Sequence, residues 1–127
     1  IYSPYQMSKF FESKYIYDFE LKDRDKYSKK INFFCNSKIF ENIKEDFLFI
    51  INRSLNEEKI ELFKNSLNKY LKDYNLEFTN DILKSKNKKQ TKIFFISELG
   101  LITKNEIREI IENLELIDKK ISGIILL

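Results

Sequence analysis

Two apolar runs, "DFLFIIN" (46–52) and "KIFFIS" (92–97), do most to limit what this chain can fold into. Neither alternates with polar residues. A strand with one face in water alternates; a strand covered on both faces does not, and such strands belong to sheets layered between helices. Each run leads into a helix signal. Ser54 and Glu57 form a capping box, followed by Ile60, Phe63, Leu67, Tyr70, Leu71 and Tyr74 at helical spacing. Gly100 marks a turn after the second run, Thr103 and Glu106 form another box, and Ile107, Ile110, Ile111, Leu114 and Ile117 face inward. The two units also match in detail: Phe47, Leu48 and Phe49 recur as Phe94, Phe95 and Ile96, and Ile60, Phe63 and Leu67 recur as Ile107, Ile110 and Leu114. Any two strand–helix units share such a pattern, so the likeness speaks to architecture. Strands alternating with helices predict an α/β fold, a Rossmann-like three-layer sandwich whose mainly parallel sheet has about four to five strands and right-handed crossovers.

The remaining segments fill in that plan. Ser3 as N-cap, Pro4 at the first helical position and Gln6 predict a short helix from Pro4 to about Lys14. "YIYDFELK" alternates, with Tyr15, Tyr17, Phe19 and Leu21 on one side and Asp18, Glu20 and Lys22 on the other, as a strand near a sheet edge should. "KDRDKYSKK" reads as a polar connection, Ile31–Cys35 as a short apolar strand, and "NSKIFENIKE" as a short helix turning Ile39, Phe40 and Ile43 inward. Leu76–Phe78 is expected to be a short strand or extended link, Asn80–Leu83 a helical turn, "KSKNKKQ" an exposed loop and "ISGIILL" the closing strand.

A chain of 127 residues is long enough to bury one core, so residues 1–127 are expected to form a single domain. The 43% hydrophobic and 15% aromatic content argues against disorder. The net charge of +3 comes from interleaved signs and does not by itself imply a nucleic acid or membrane partner. Cys35 is the only cysteine, no apolar run is long enough to span a bilayer and no signal peptide is visible, which together predict a cytoplasmic domain or the cytosolic part of a membrane-associated protein. The chain starts on Ile1 and stops on an apolar strand, so it is expected to be an excised part of a longer protein.

Several chemistries are excluded by composition. There is no histidine, which removes Ser-His-Asp and Cys-His catalysis and the commonest zinc ligand. Gly100 and Gly123 are the only glycines, so neither a G-x-G-x-x-G nor a G-x-x-x-x-G-K-[ST] phosphate loop can exist. No cofactor and no metal are expected. Cys35 has no histidine to activate it and reads as a small core residue.

Three clusters remain. Asp18, Glu20 and Lys22 share one face of the predicted first strand, where an E-x-K set can hold Mg²⁺ and steady a water in metal-dependent nucleases; an exposed strand face explains the same spacing without chemistry. Lys84, Lys86, Lys88, Lys89 and Lys92 could approach an anionic membrane surface, but no aromatic residue is interleaved to stack bases, so a nucleic-acid partner is not expected. Asn52, Arg53, Ser54 and Glu98 sit where the two apolar strands run out, the place where open parallel sheets gather ligands, with Asn36 and Ser37 as further candidates. Turn and capping duty accounts for several of these.

Residues 92–127, with "IFFISELG", "TKNEIREIIENLELI" and "GIILL", resemble the last strand–helix–strand unit of the P-loop ATPase-like tyrosine autokinases of bacterial capsule and exopolysaccharide biosynthesis. The Walker A loop, the acidic metal-binding strand and the terminal tyrosine cluster of that family are missing here, so the resemblance implies a degenerate, non-catalytic relative. It implies a regulatory or protein-interaction domain, with a protein partner, associated with polysaccharide chain-length control or export. The alternatives are an enzyme, either nuclease-like through Glu20 and Lys22 or a transferase at the strand ends, and a small adaptor or immunity protein.

Overall fold

The structure, a computed structural model, describes residues 6, 9, 11, 15–84 and 91–127. Among the described residues five strands form one sheet in the order β1-β5-β4-β2-β3, and every neighbouring pair is parallel. The strands are β1 Ile16–Asp18, β2 Asp46–Ile51, β3 Asn75–Thr79, β4 Thr91–Ser97 and β5 Gly123–Leu126. The helices are α1 Arg24–Cys35, α2 Glu57–Tyr70 and α3 Lys104–Leu116, with 3-10 turns at Lys38–Phe40 and Ile82–Lys84. The α/β sandwich expected from the two apolar runs is therefore the fold.

Those runs occupy the middle of the sheet. β2 and β4 pair in register from Asp46 opposite Thr91 to Ile51 opposite Ile96. Odd and even positions of β2 serve different layers: Phe47 and Phe49 join the core under α1 and α2, while Leu48 and Ile50 join the core under α3. This is why neither run alternates with polar residues. On the first face Phe49 stacks on Phe94 at 5.4 Å and on Phe78 at 4.8 Å, and Phe63 and Leu67 of α2 are fully enclosed. The second face is sealed by Ile107 and Leu114 of α3 and by Phe11, whose ring lies 5.4 Å from Phe95. Gln6, Lys9 and Phe11 are helical; the rest of the helix expected over Pro4–Lys14 lies outside the described residues.

Direction and face go together. The connections β1–α1–β2 and β2–α2–β3 both run toward the β3 edge and pack on one face. The connections β3–β4 and β4–α3–β5 run toward the β1 edge, and Ile82 and α3 pack on the other face. Crossovers of a single hand require this coupling. The strand order thus reverses between β2 and β4.

Three local expectations are corrected. Ile31–Cys35 is the last part of α1 rather than a strand, and "KDRDKYSKK" is mostly its first part. Asp23 caps this helix by accepting from the Lys26 N–H at 3.2 Å, and Tyr27, Ile31 and Phe34 follow at helical spacing on its buried face. Phe33 falls off that face and is 81% exposed. The segment after α1 forms only the 3-10 turn, which buries Phe40 and leaves Ile43 exposed. Finally, α2 is capped by Asn56, whose side chain accepts from the Glu58 N–H at 2.7 Å, and not by Ser54. A turn closed by the Leu55 N–H to the Asn52 carbonyl uses up Ser54 first. Thr103 does cap α3, accepting from the Glu106 N–H at 3.2 Å.

Candidate functional site

The reversal of strand order between β2 and β4 places a crevice beyond their carboxyl ends, where ligands gather in open α/β sheets. Asn52 stands at its base. Its backbone N–H extends the ladder to the Ile96 carbonyl at 3.0 Å, and its side chain is almost fully buried. The Asn52 amide donates to Ser97 Oγ at 2.9 Å, while its Oδ1 accepts from the Ser54 N–H at 3.1 Å. Ser97 is completely enclosed, and its hydroxyl reaches the Glu98 carbonyl at 3.3 Å. One buried amide therefore ties the end of β2 to the end of β4 and shapes the turn that leads into α2.

The other candidates point elsewhere. Arg53 reaches across the crevice to Glu109 of α3 at 3.6 Å, whereas Glu98 turns to the other side and pairs with Lys59 of α2 at 2.6 Å. Ser54 is exposed and serves through its backbone N–H. Asn52 and Arg53 share the wall of a hollow of about 60 Å³ with Asp81, Glu106 and Glu109, room for no more than a few waters. A broader polar recess of about 510 Å³ on the α2 side is bordered by Arg53, Glu57, Glu61 and Lys64. The first turns of α2 and α3 carry Glu57, Glu58 and Glu106. Carboxylates there neutralise the positive helix ends that would otherwise attract a phosphate.

Asn36 and Ser37 do not join this crevice. Helix α1 runs back along the sheet, so its C-terminal end lies beside the start of β4. Asn36 closes the last turn of α1 by donating to the Asn32 carbonyl at 2.8 Å, and Ser37 lies with Lys92 and Ser122 at the amino-terminal side of the strands.

Asp18, Glu20 and Lys22 do not share a strand face either. β1 stops at Asp18, and Glu20 adopts a left-handed φ of 46°, which breaks the alternation. Lys30 of α1, rather than Lys22, meets the Glu20 carboxylate, and its ammonium also donates to the Asp18 backbone carbonyl at 2.8 Å. The hydrogen bond from Lys30 holds the Glu20 carboxyl below its usual range. Glu20 fastens the turn between β1 and α1.

Among the described residues no three His, Cys, Asp or Glu side chains converge as a metal site. Burial pushes the Cys35 thiol up to about 12, so it stays protonated and inert, a core residue as expected though on a helix. Burial also raises Tyr17 and Tyr27, the latter donating to Ser66 Oγ at 2.9 Å. None of these shifts moves a group toward neutrality, where a general acid or base works best. Lys86, Lys88 and Lys89 lie outside the described residues; Lys84 is exposed, and Lys92 sits in β4, donating to the Ile39 carbonyl at 3.0 Å beside Glu45 at 3.2 Å. No helix of the described residues is long and apolar enough to cross a membrane.

A second opening was not foreseen. A groove of about 580 Å³ lies between α1 and the β1 edge of the sheet, walled by Tyr17, Phe34 and Phe94, with Tyr15 and Phe33 at its mouth. Its sequence signal lies in α1: once Tyr27, Ile31 and Phe34 define the buried face, Phe33 is left outside. No family model, no curated protein and no solved structure matches this chain.

Proposed function

We propose that this chain is a non-catalytic α/β domain with a regulatory or protein-interaction role, associated with polysaccharide chain-length control or export. The observation that carries the non-catalytic part is the state of the switch-point crevice. Asn52 is engaged with Ser97 and Arg53 with Glu109, Glu98 turns away to Lys59, and the first turns of both helices beside the crevice carry glutamates. Such a crevice repels a nucleotide phosphate instead of cradling it. The polysaccharide association rests on the resemblance of residues 92–127 to the export autokinases and on nothing else. A partner protein would then read the outer surface of the domain.

Calorimetric titration with a non-hydrolysable ATP analogue and Mg²⁺ tests the first part: no saturable heat is expected, and a micromolar Kd would overturn it. Deletion of the gene in its own cell tests the second part, through the length distribution of exported polysaccharide on a gel. An unchanged distribution would remove the export association while leaving the non-catalytic reading in place.

A further inference from the structure

The aromatic groove has the attributes of a small-molecule site, independently of the role proposed above. Its volume of about 580 Å³ falls within the span of pockets that enclose small organic ligands, about 300–1,000 Å³. Its floor is seated on Gly123. At this point β5 has no side chain, and a Cβ there would stand 3.0 Å from the Tyr17 ring and 3.1 Å from the Phe94 ring. The two rings close over the glycine and make an apolar floor. At the mouth, Tyr15 and Phe33 remain 63% and 81% exposed. Two large aromatic side chains left in water beside one apolar hollow mark a binding surface.

The charge around the groove is one-sided. Lys30, Lys38 and Lys92 line it, and no Asp or Glu does. Glu20 and Glu45 answer Lys30 and Lys92 from outside the lining. Among the described residues Lys38 has neither an ion pair nor a hydrogen bond from its ammonium. One uncompensated positive charge therefore sits at the edge of an aromatic cavity. That arrangement complements a single negative charge on an apolar body, and it offers too little charge for a phosphate or a nucleic acid strand.

We infer that this groove binds a free organic monocarboxylate, its apolar body resting on the floor that the Tyr17 and Phe94 rings make above Gly123 and its carboxylate at Lys38. The chain supplies its own reporters, since Gly123 and Gly100 are the only glycines and their amide resonances fall in a sparsely populated region of a ¹⁵N-¹H spectrum. Gly123 lies under the groove, while Gly100 lies in the turn beyond the opposite end of β4. Titration with monomeric dodecanoate should shift the Gly123 amide saturably and leave Gly100 in place. Dodecyltrimethylammonium, with the same tail and opposite charge, should leave both unmoved. Lys38→Glu should weaken dodecanoate binding about fivefold, the scale of reversing one partly exposed charge contact. Phe33→Ser, which changes an exposed side chain only, should weaken it too and decides the matter if Lys38→Glu does not fold. The inference is overturned if Gly123 is unmoved by dodecanoate, if both glycines move together, if the cation binds as well as the anion, or if a folded variant binds dodecanoate unchanged.

Discussion

The bond between Asn52 and Ser97 joins the ends of the two central strands inside a dry environment, and its worth can be measured directly. Asn52 is 3% exposed and Ser97 is fully enclosed, with 2.9 Å between the amide and the hydroxyl. In Asn52→Ala the Ser97 hydroxyl keeps only its 3.3 Å contact with the Glu98 carbonyl, and the Ser54 N–H loses its 3.1 Å acceptor. One net hydrogen bond contributes about 1 kcal/mol and a buried polar group left short of a partner costs about 1–3 kcal/mol, so Asn52→Ala should lose about 2–3 kcal/mol. Ser97→Ala removes the same bond from the other side and should lose about 1–2 kcal/mol, because the Asn52 amide must then stay buried without its acceptor. The double variant should lose less than the two separate losses together, leaving a coupling of about 1 kcal/mol. Urea unfolding followed by far-ultraviolet circular dichroism gives all four values, provided the urea dependence stays constant across the set. A coupling below about 0.3 kcal/mol, within ordinary additivity, would refute the idea that this amide clamps β2 to β4.

Other consequences are simpler to state. Phe33→Ser should change stability by less than about 0.5 kcal/mol, whereas its neighbour Phe34→Ala should cost about 3–5 kcal/mol, because one ring is in water and the other is 2% exposed; similar losses from both would mean α1 is rotated. The Cys35 thiol should resist a disulfide reagent in the native protein at pH 8 and react fully in urea; fast native reaction would contradict its burial. Its folded pKa of about 12 lies above the ordinary value of 9.0, so the native state holds the proton longer. Stability should therefore be full below pH 9 and fall between pH 9 and about 12, and Cys35→Ala should flatten part of that fall. Gly123→Ala should cost about 1–3 kcal/mol by pressing a methyl group on two rings, whereas Gly100→Ala meets open space and loses about 1 kcal/mol to its φ of 89°; equal unfolding midpoints for the wild type and Gly123→Ala would show that the floor is loose.

Local signals and long-range facts divided cleanly in this chain. β2 and β4 were readable because a strand covered on both faces must be apolar at every position, and α3 because Thr103, Glu106 and its inward isoleucines agree. At α1, Ile31–Cys35 by itself has the composition of a short strand. The four-residue spacing from Tyr27 to Ile31, with Asp23 ahead of it, carries the helix, but half of that signal lies in a lysine-rich stretch that looks like a connection. At α2 the sequence points to Ser54, and the turn fixed by Asn52 moves the cap two residues on to Asn56. Asn52 itself could be nominated from its place at a strand end. Its partner Ser97 could not, since their meeting depends on the β2–β4 register. The Asp18, Glu20 and Lys22 set failed for a backbone reason: a left-handed φ at Glu20 ends the alternation that would have aligned them.

Among the described residues β1, the first strand in the sequence, hydrogen-bonds to β5, the last, and to no other strand. While the polypeptide is being synthesised, Ile16–Asp18 has no ladder to join until Gly123–Leu126 has emerged. β2, β3 and β4 can assemble well before that, through contacts closer in sequence. Docking of β1 is therefore late relative to β2, β3 and β4, and a strand of three residues with one described neighbour should also be among the first parts to open. Tyr17, a wall of the aromatic groove, rides on that strand. The groove therefore loses a wall whenever the β1 edge opens, and amide hydrogen exchange should be faster at Tyr17 than at Phe49 in the centre of the sheet.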